Sequence, residues 1–233
     1  MCRGGGIGRH ARLKILWTFS PCRFKSGSRY QNLFMIKAIL FDYGGVITDG
    51  GRGGLSGRLA ELLEVSEDDA KAYMQLGWTD YIKGQISEDT FWDRIQSASE
   101  TIVPRDYRNI WNDWDKMMPM PAMIDIVAEL KKRGLRVGLL SNVFPRTAID
   151  IRAHGGYSTF DFTILSCDVG YAKPEKQIYQ LALDKLSGID PTEIIFIDDQ
   201  EKCLIPARDM GIHTVLALNP QQVWDDIDAL LKN

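Results

Sequence analysis

Three acids and a lysine stand where runs of apolar residues stop. Asp42 ends "ILF" and precedes Gly44 and Gly45, Lys173 lies in "VGYAKP", and Asp198 with Asp199 follows "IIFI"; Ser141 and Asn142 follow "VGLL" in the same manner. Carboxylates gathered at one place repel, each raising the proton affinity of the others, unless a cation lies among them. Oxygen donors of this kind suit Mg²⁺, which takes one or two carboxylates and keeps places for substrate phosphate. Three acids, one lysine and one dication sum to zero formal charge, so a phosphate dianion would approach without net repulsion. Taken singly, a Ser after a strand is an ordinary helix cap and a Lys is ordinarily solvated, so the reading rests on the set.

The elements that must bring these residues together are short and regular. Residues 36–41, 137–140, 162–165, 194–197 and 214–218 are β-like apolar runs of the kind buried on both faces. Between them lie amphipathic stretches at 122–132, 174–186 and 202–210, two of which stop at "KKRG" or Gly211 as helices do. Strands alternating with helices imply right-handed crossovers and a parallel sheet covered on both faces, an α/β doubly wound, Rossmann-like fold. In such a sheet ligands bind at the carboxyl ends of the strands, which is where all the residues above fall. Pro206 is acceptable near a first turn, so the helix that carries it is expected to begin just before it.

One interval breaks the alternation. Residues 55–118 carry helical patterns and no strand, with start signals at "SEDD" (Ser66) and "SEDTFW" (Ser87) and further patterns at 55–63 and 104–117. The expected division is a core of 35–54 and 119–233 with an all-helical insertion at 55–118. Four of the six tryptophans, Trp78, Trp92, Trp111 and Trp114, fall in the insertion, where packing of a small bundle and contact with a substrate are both open to them.

Residues 1–34 differ from the rest. Seven of the 28 Lys and Arg residues lie there and none of the 31 Asp and Glu, which leaves 21 against 31 and a formal charge of −10 from Met35 onward. An acidic body disfavours nonspecific nucleic-acid binding. The basic leader reads as a poorly packing segment, either a targeting peptide or, the reading preferred here, translation from upstream of a start at Met35. The four cysteines, Cys2, Cys22, Cys167 and Cys203, lack metal or disulfide spacing, and no apolar run is long enough to span a membrane, so a cytoplasmic protein with free thiols is expected.

The order "FDYGGV", "LLSN", "GYAKP" and "FIDD" resembles the four motifs of the haloacid dehalogenase-like hydrolase superfamily, and the helical insertion resembles its small cap. Its Asp-x-Gly first motif is similar to that of bacterial sugar-phosphate phosphatases of the glucose-1-phosphatase kind. The resemblance implies a Mg²⁺-dependent phosphatase acting on a small phosphorylated metabolite, with no nucleic-acid or membrane partner and with the oligomeric state left open. It implies Asp42 as nucleophile and metal ligand, the Gly44 carbonyl and Asp198 as further ligands, and Asp199 on a metal-bound water. Ser141 would bond a phosphoryl oxygen, the Asn142 backbone N–H would add a donor, and Lys173 would supply charge.

Two positions depart from that pattern. Most phosphatases of the superfamily carry a second Asp two residues after the nucleophile as acid and base, and this chain has Gly44. Proton transfer by such a group contributes about 10²- to 10⁴-fold, so a substrate with a good leaving group, such as a sugar 1-phosphate, is favoured; Asp49 is the nearest substitute, although Asp beside Gly is ordinarily a turn former. Cys203 stands where related chains often have Asn. The rival readings are a noncatalytic phospholigand- or partner-binding protein, and a 2-haloacid dehalogenase, which would leave the Asp198-Asp199 pair without a use. A phosphosugar mutase would itself need the missing acid.

Overall fold

The computed structural model describes residues 35–49, 54–103 and 118–232. Within them the order is β1 Ala38–Phe41, α1 Gly54–Leu63, α2 Glu67–Gln75, α3 Trp78–Ile82, α4 Glu88–Ala98, α5 Pro121–Lys132, β2 Arg136–Ser141, α6 Pro145–Ala153, β3 Phe162–Leu165, α7 Ser166–Val169, α8 Lys176–Lys185, β4 Ile194–Asp198, α9 Glu201–Asp209, β5 His213–Leu216 and α10 Pro220–Leu231. All five strands are parallel, in the order β3-β2-β1-β4-β5. This is the doubly wound sheet expected from the alternation of apolar runs and helices. No helix among the described residues is long and apolar enough to cross a membrane.

Strand β1 lies at the centre and serves both faces. Ile39 and Phe41 enter one layer with Val127 and Leu130 of α5 and Ile227 of α10. Ala38 and Leu40 enter the other, with Tyr179 and Ala182 of α8 and Leu204 and Ala207 of α9. Every β1 side chain is therefore buried, which is why the run reads as apolar without alternation. Ile39, Leu40 and Phe41 each contribute about 1.5–3 kcal/mol by leaving water, so the end of β1 is held by packing on both faces.

Helices α1 to α4 form where the cap signals stand. Ser66 accepts a hydrogen bond from the Asp69 N–H and Ser87 accepts one from the Thr90 N–H. They share an apolar cluster of Leu59, Leu63, Met74, Tyr81, Phe91, Trp92 and Ile95. Trp92 is buried there, and Trp78 meets the ring of Phe144 edge-on at 4.7 Å. The patterns at 104–117, with Trp111 and Trp114, lie outside the described residues, as does the basic leader 1–34.

Pro206 corrects an expectation. Helix α9 runs Glu201–Asp209 with Pro206 inside it rather than at its first turn. A proline there removes the N–H that would bond to the Lys202 carbonyl. Cys203, Leu204 and Ala207 are buried on one side of α9, so packing against the sheet sets where the helix starts and outweighs one missing hydrogen bond.

Phe144 joins the insertion's cluster to the core, since it belongs to the loop after β2 yet stacks on Tyr81 at 4.9 Å. Truncation by Phe144→Ala is expected to lower unfolding free energy by about 3–5 kcal/mol, the range for a buried aromatic, as measured by chemical denaturation.

Candidate active site

The site is assembled from the carboxyl ends of β1, β2 and β4 and the loop before α8. The Asp42 N–H donates to the Ile197 carbonyl at 2.9 Å, carrying the sheet's register one residue past β1 and fixing where the carboxylate leaves the backbone. The chain then turns sharply. Both the Ile47 and Thr48 N–H groups donate to the Tyr43 carbonyl, at 2.9 and 3.0 Å, and the Met120 N–H donates to Ile47, which ties this turn to the start of α5.

Within this frame Lys173 lies between two acids. Its ammonium is 2.9 Å from Asp42 Oδ1 and 2.6 Å from Asp198 Oδ2, and its side chain is 1% exposed. The Phe196 ring lies beneath the same nitrogen at 5.5 Å. Burial alone would pull the lysine's pKa down; the carboxylates of Asp42 and Asp198 outweigh it and hold the pKa above the ordinary lysine value. The Asp198 carboxyl is pushed up to about 6, by burial first and by the charge of Asp42 second, despite Lys173 and the Gln200 N–H, which donates to its Oδ1 at 2.8 Å. One ammonium does not balance two buried acids.

Asp199 completes the cluster. One oxygen from each of Asp42, Asp198 and Asp199 lies within 4.8 Å of the others. With Lys173 the group carries a formal −2, which a divalent cation would cancel. The donor set is all oxygen and partly open at Asp199, which fits Mg²⁺ with places left for water and phosphate. Gly45 makes the arrangement possible. It has φ +77°, and a Cβ there would lie 2.4 Å from Asp199 Oδ2. Nothing in the motif pattern marks this second glycine apart from Gly44.

Gly44 itself is roomy. A Cβ at this position meets nothing within 4 Å, and its φ lies outside the left-handed region. Asp49 is exposed. Ser141 ends β2, at the expected strand end, and is buried at 2% exposure.

Asn142 is used in a way that sequence did not suggest. Its side-chain amide grips the backbone of Lys173: Nδ2 donates to the Lys173 carbonyl at 2.8 Å, and Oδ1 accepts from the Lys173 N–H at 2.8 Å. The two residues are 31 apart in the chain. No periodicity reports such a pairing. Cys203 is buried, and burial pushes its thiol up to about 12, the setting of a structural cysteine.

Comparison with known proteins decides the lineage, because the family model for haloacid dehalogenase-like hydrolases matches residues 36–211. The chain belongs to this family. Mouse acyl-CoA dehydrogenase family member 10 is 28% identical over 97% of the chain, but the chain spans only 21% of that protein. D-ribitol-5-phosphate phosphatase of Bacteroides thetaiotaomicron is 25% identical over 85% of the chain and matches along its entire length (100%). A HAD family enzyme of the same bacterium, solved with magnesium and inorganic phosphate, superposes with a TM-score of 0.63 at 26% identity, covering 78% of the chain and 94% of that enzyme. The HAD-like fold, the acid cluster and the family assignment therefore agree.

Two measurements check the electrostatics of this HAD-like site. Lys173→Met leaves two buried carboxylates without their cation and is expected to destabilise the metal-free protein by about 3–5 kcal/mol, with saturating Mg²⁺ recovering part of the loss in thermal melts. Gly45→Ala is expected to displace the Asp199 carboxylate and weaken Mg²⁺ binding about tenfold or more by calorimetry, the scale seen when support around a metal site is disturbed.

Proposed function

We propose that this hydrolase is a Mg²⁺-dependent phosphatase acting on a small phosphorylated metabolite, a sugar phosphate by preference, through an aspartyl phosphate on Asp42. One observation carries the reading: a buried lysine shared by two acids, beside a third acid, at a strand-end crevice with a formal deficit of two positive charges. The similarity to D-ribitol-5-phosphate phosphatase and to an enzyme solved with magnesium and phosphate supports it.

In this reading the contacts described for Asp42, from Lys173 Nζ and from the Tyr43 N–H, fall on Oδ1, which leaves Oδ2 to attack phosphorus. The bond from phosphorus to the leaving oxygen breaks with its electron pair going to that oxygen, which departs as an anion and takes its proton from solvent water. Water then attacks the phosphorus of the acyl phosphate, releasing orthophosphate and restoring the Asp42 carboxylate. Lys173 holds Asp42 in place and faces the charge that gathers on the phosphoryl oxygens; an ion pair at about 4 Å is worth roughly 4 kcal/mol at an effective dielectric near 20. The Ser141 hydroxyl and the Asn142 N–H are the phosphoryl donors proposed at the end of β2. Magnesium would be held by Asp42, Asp198, Asp199 and the Gly44 carbonyl, and would supply the missing positive charge.

The open space at Gly44 bears on the substrate. Where most relatives by motif have an acid, this chain offers room and no proton, which suits a leaving group that departs with little help, such as an anomeric or acyl phosphate. Residues 55–118 act in this proposal as a cap that excludes water from the crevice formed by 35–54 and 119–233. Cytoplasmic placement belongs to the same reading and rests on the widely spaced cysteines.

The test is a panel of phosphate esters assayed with and without Mg²⁺. Release of phosphate is expected to require the metal and to be abolished in Asp42→Asn, while Gly44→Asp, which the backbone accommodates, is expected to speed hydrolysis of esters with poor leaving groups by about 10- to 100-fold. Wild-type turnover of poor leaving groups at the rate of that variant would end the leaving-group argument. Mg²⁺-dependent ligand stabilisation with no phosphate release from any ester would favour the noncatalytic reading.

A further inference from the structure

Lys173 sits on a turn that is held from two sides. From the core, Asn142 grips its backbone as described. From the insertion, Lys83 ion-pairs with Glu175, and the other oxygen of Glu175 accepts the Ala172 N–H at 3.1 Å. Lys83 is itself firmly placed. The preceding carbonyl, Ile82, accepts a hydrogen bond from the buried Ser166 hydroxyl at 2.6 Å, and the Ser166 Oγ in turn accepts the Val143 N–H at 2.9 Å from the loop bearing Asn142. The following residue, Gly84, has φ +65° and passes so close to the core that a Cβ would lie 2.5 Å from the Cys167 carbonyl oxygen.

Lys83 and Glu175 are 92 residues apart, and the Lys83 side chain is only 14% exposed, so this is not a fluctuating surface pair. Glu175 is 36% exposed, and without Lys83 its carboxylate is free to turn to water. The Ala172 N–H would then lose its acceptor in a residue that is 4% exposed. The turn 172–175 would relax by one of the routes open to it, and Lys173 is the residue it carries.

We propose that Lys83 is a positioning residue: by holding Glu175 it shapes the turn 172–175 so that the Lys173 ammonium stands between Asp42 and Asp198. Docking of the insertion and placement of the charge that meets the phosphate are thereby one event. The consequence for phosphate rests on the phosphatase reading; the placement of Lys173 does not.

Three forms of the full chain test this: wild type, Lys83→Met and Lys83→Arg. With Mg²⁺ present, the orthophosphate dissociation constant measured by calorimetry is expected to rise about tenfold in Lys83→Met and to stay within about twofold in Lys83→Arg, as for partners that orient the groups of a site. The Mg²⁺ affinity of Lys83→Arg is expected to match wild type, while that of Lys83→Met shifts with the Lys173 ammonium, which shares Asp42 and Asp198 with the metal. A folded Lys83→Met protein with wild-type phosphate affinity would overturn the inference, as would an arginine variant that loses as much as the methionine one. Should Lys83→Met fail to fold, Glu175→Ala removes the other partner and is read in the same way. A wild type that binds no orthophosphate would count against the phosphatase reading instead. In that case the crystal structure of Lys83→Met decides, and a Lys173 ammonium unmoved from its 2.9 and 2.6 Å contacts overturns the inference.

Discussion

A single buried ammonium holds this site together. Asp198 is 0% exposed and Asp42 6%, and two carboxylates so placed repel each other in a medium that screens poorly. Lys173 makes their proximity tolerable. Its side chain reaches both acids only because its backbone is fixed, and that fixing is delegated to polar contacts from elsewhere: the Asn142 amide on one side and Glu175 with Lys83 on the other. A buried lysine with one partner would be a liability, since desolvation costs rival the Coulombic gain; with two partners and a defined backbone it becomes the organising charge of the crevice.

The fold was legible because it rests on local pattern and short-range register. Continuous apolar runs forced strands buried on both faces, and Ser66 and Ser87 announced the helices that they cap. The positions of Asp42, Ser141 and Asp198 followed from the strand ends, with no knowledge of side-chain contacts needed. Helix α9 departs from expectation at Pro206 because the rule for proline is local, whereas the burial of Cys203, Leu204 and Ala207 that sets the helix's start is not. Helices α6 and α10 also went unmarked, although Pro145, and Asn219 followed by Pro220, are ordinary helix starts that the sequence displays.

The working parts of the site were harder to see, for a physical reason. That Asn142 would spend its side chain on Lys173, 31 residues away, depends on two loops meeting, and hydrophobic periodicity carries no record of loop meetings. Gly45 is a similar case. Its neighbour Gly44 stands out in sequence as a missing acid, yet Gly45 is the one whose absent Cβ lets Asp199 approach. Residue type told which groups were available, and only the three-dimensional arrangement told which group each of them faces.

The two glycines after Asp42 thus do opposite things to the chemistry. Gly45 is required by crowding: any side chain there would strike Asp199, and its backbone stands where L-residues are strained. Gly44 is not required by crowding, since a side chain would meet open space, so sterics do not explain why the position lacks a carboxylate. Electrostatics offers a reason. The cluster already holds three acids against one lysine, and a fourth carboxylate would take the metal-free formal charge from −2 to −3, deepening the repulsion that, after burial, pushes Asp198 up to about 6. An enzyme that acts on a leaving group needing no proton can forgo that acid and keep its metal-free state less strained. The absence of an acid at Gly44 therefore relieves the interaction on which the rest of the site depends.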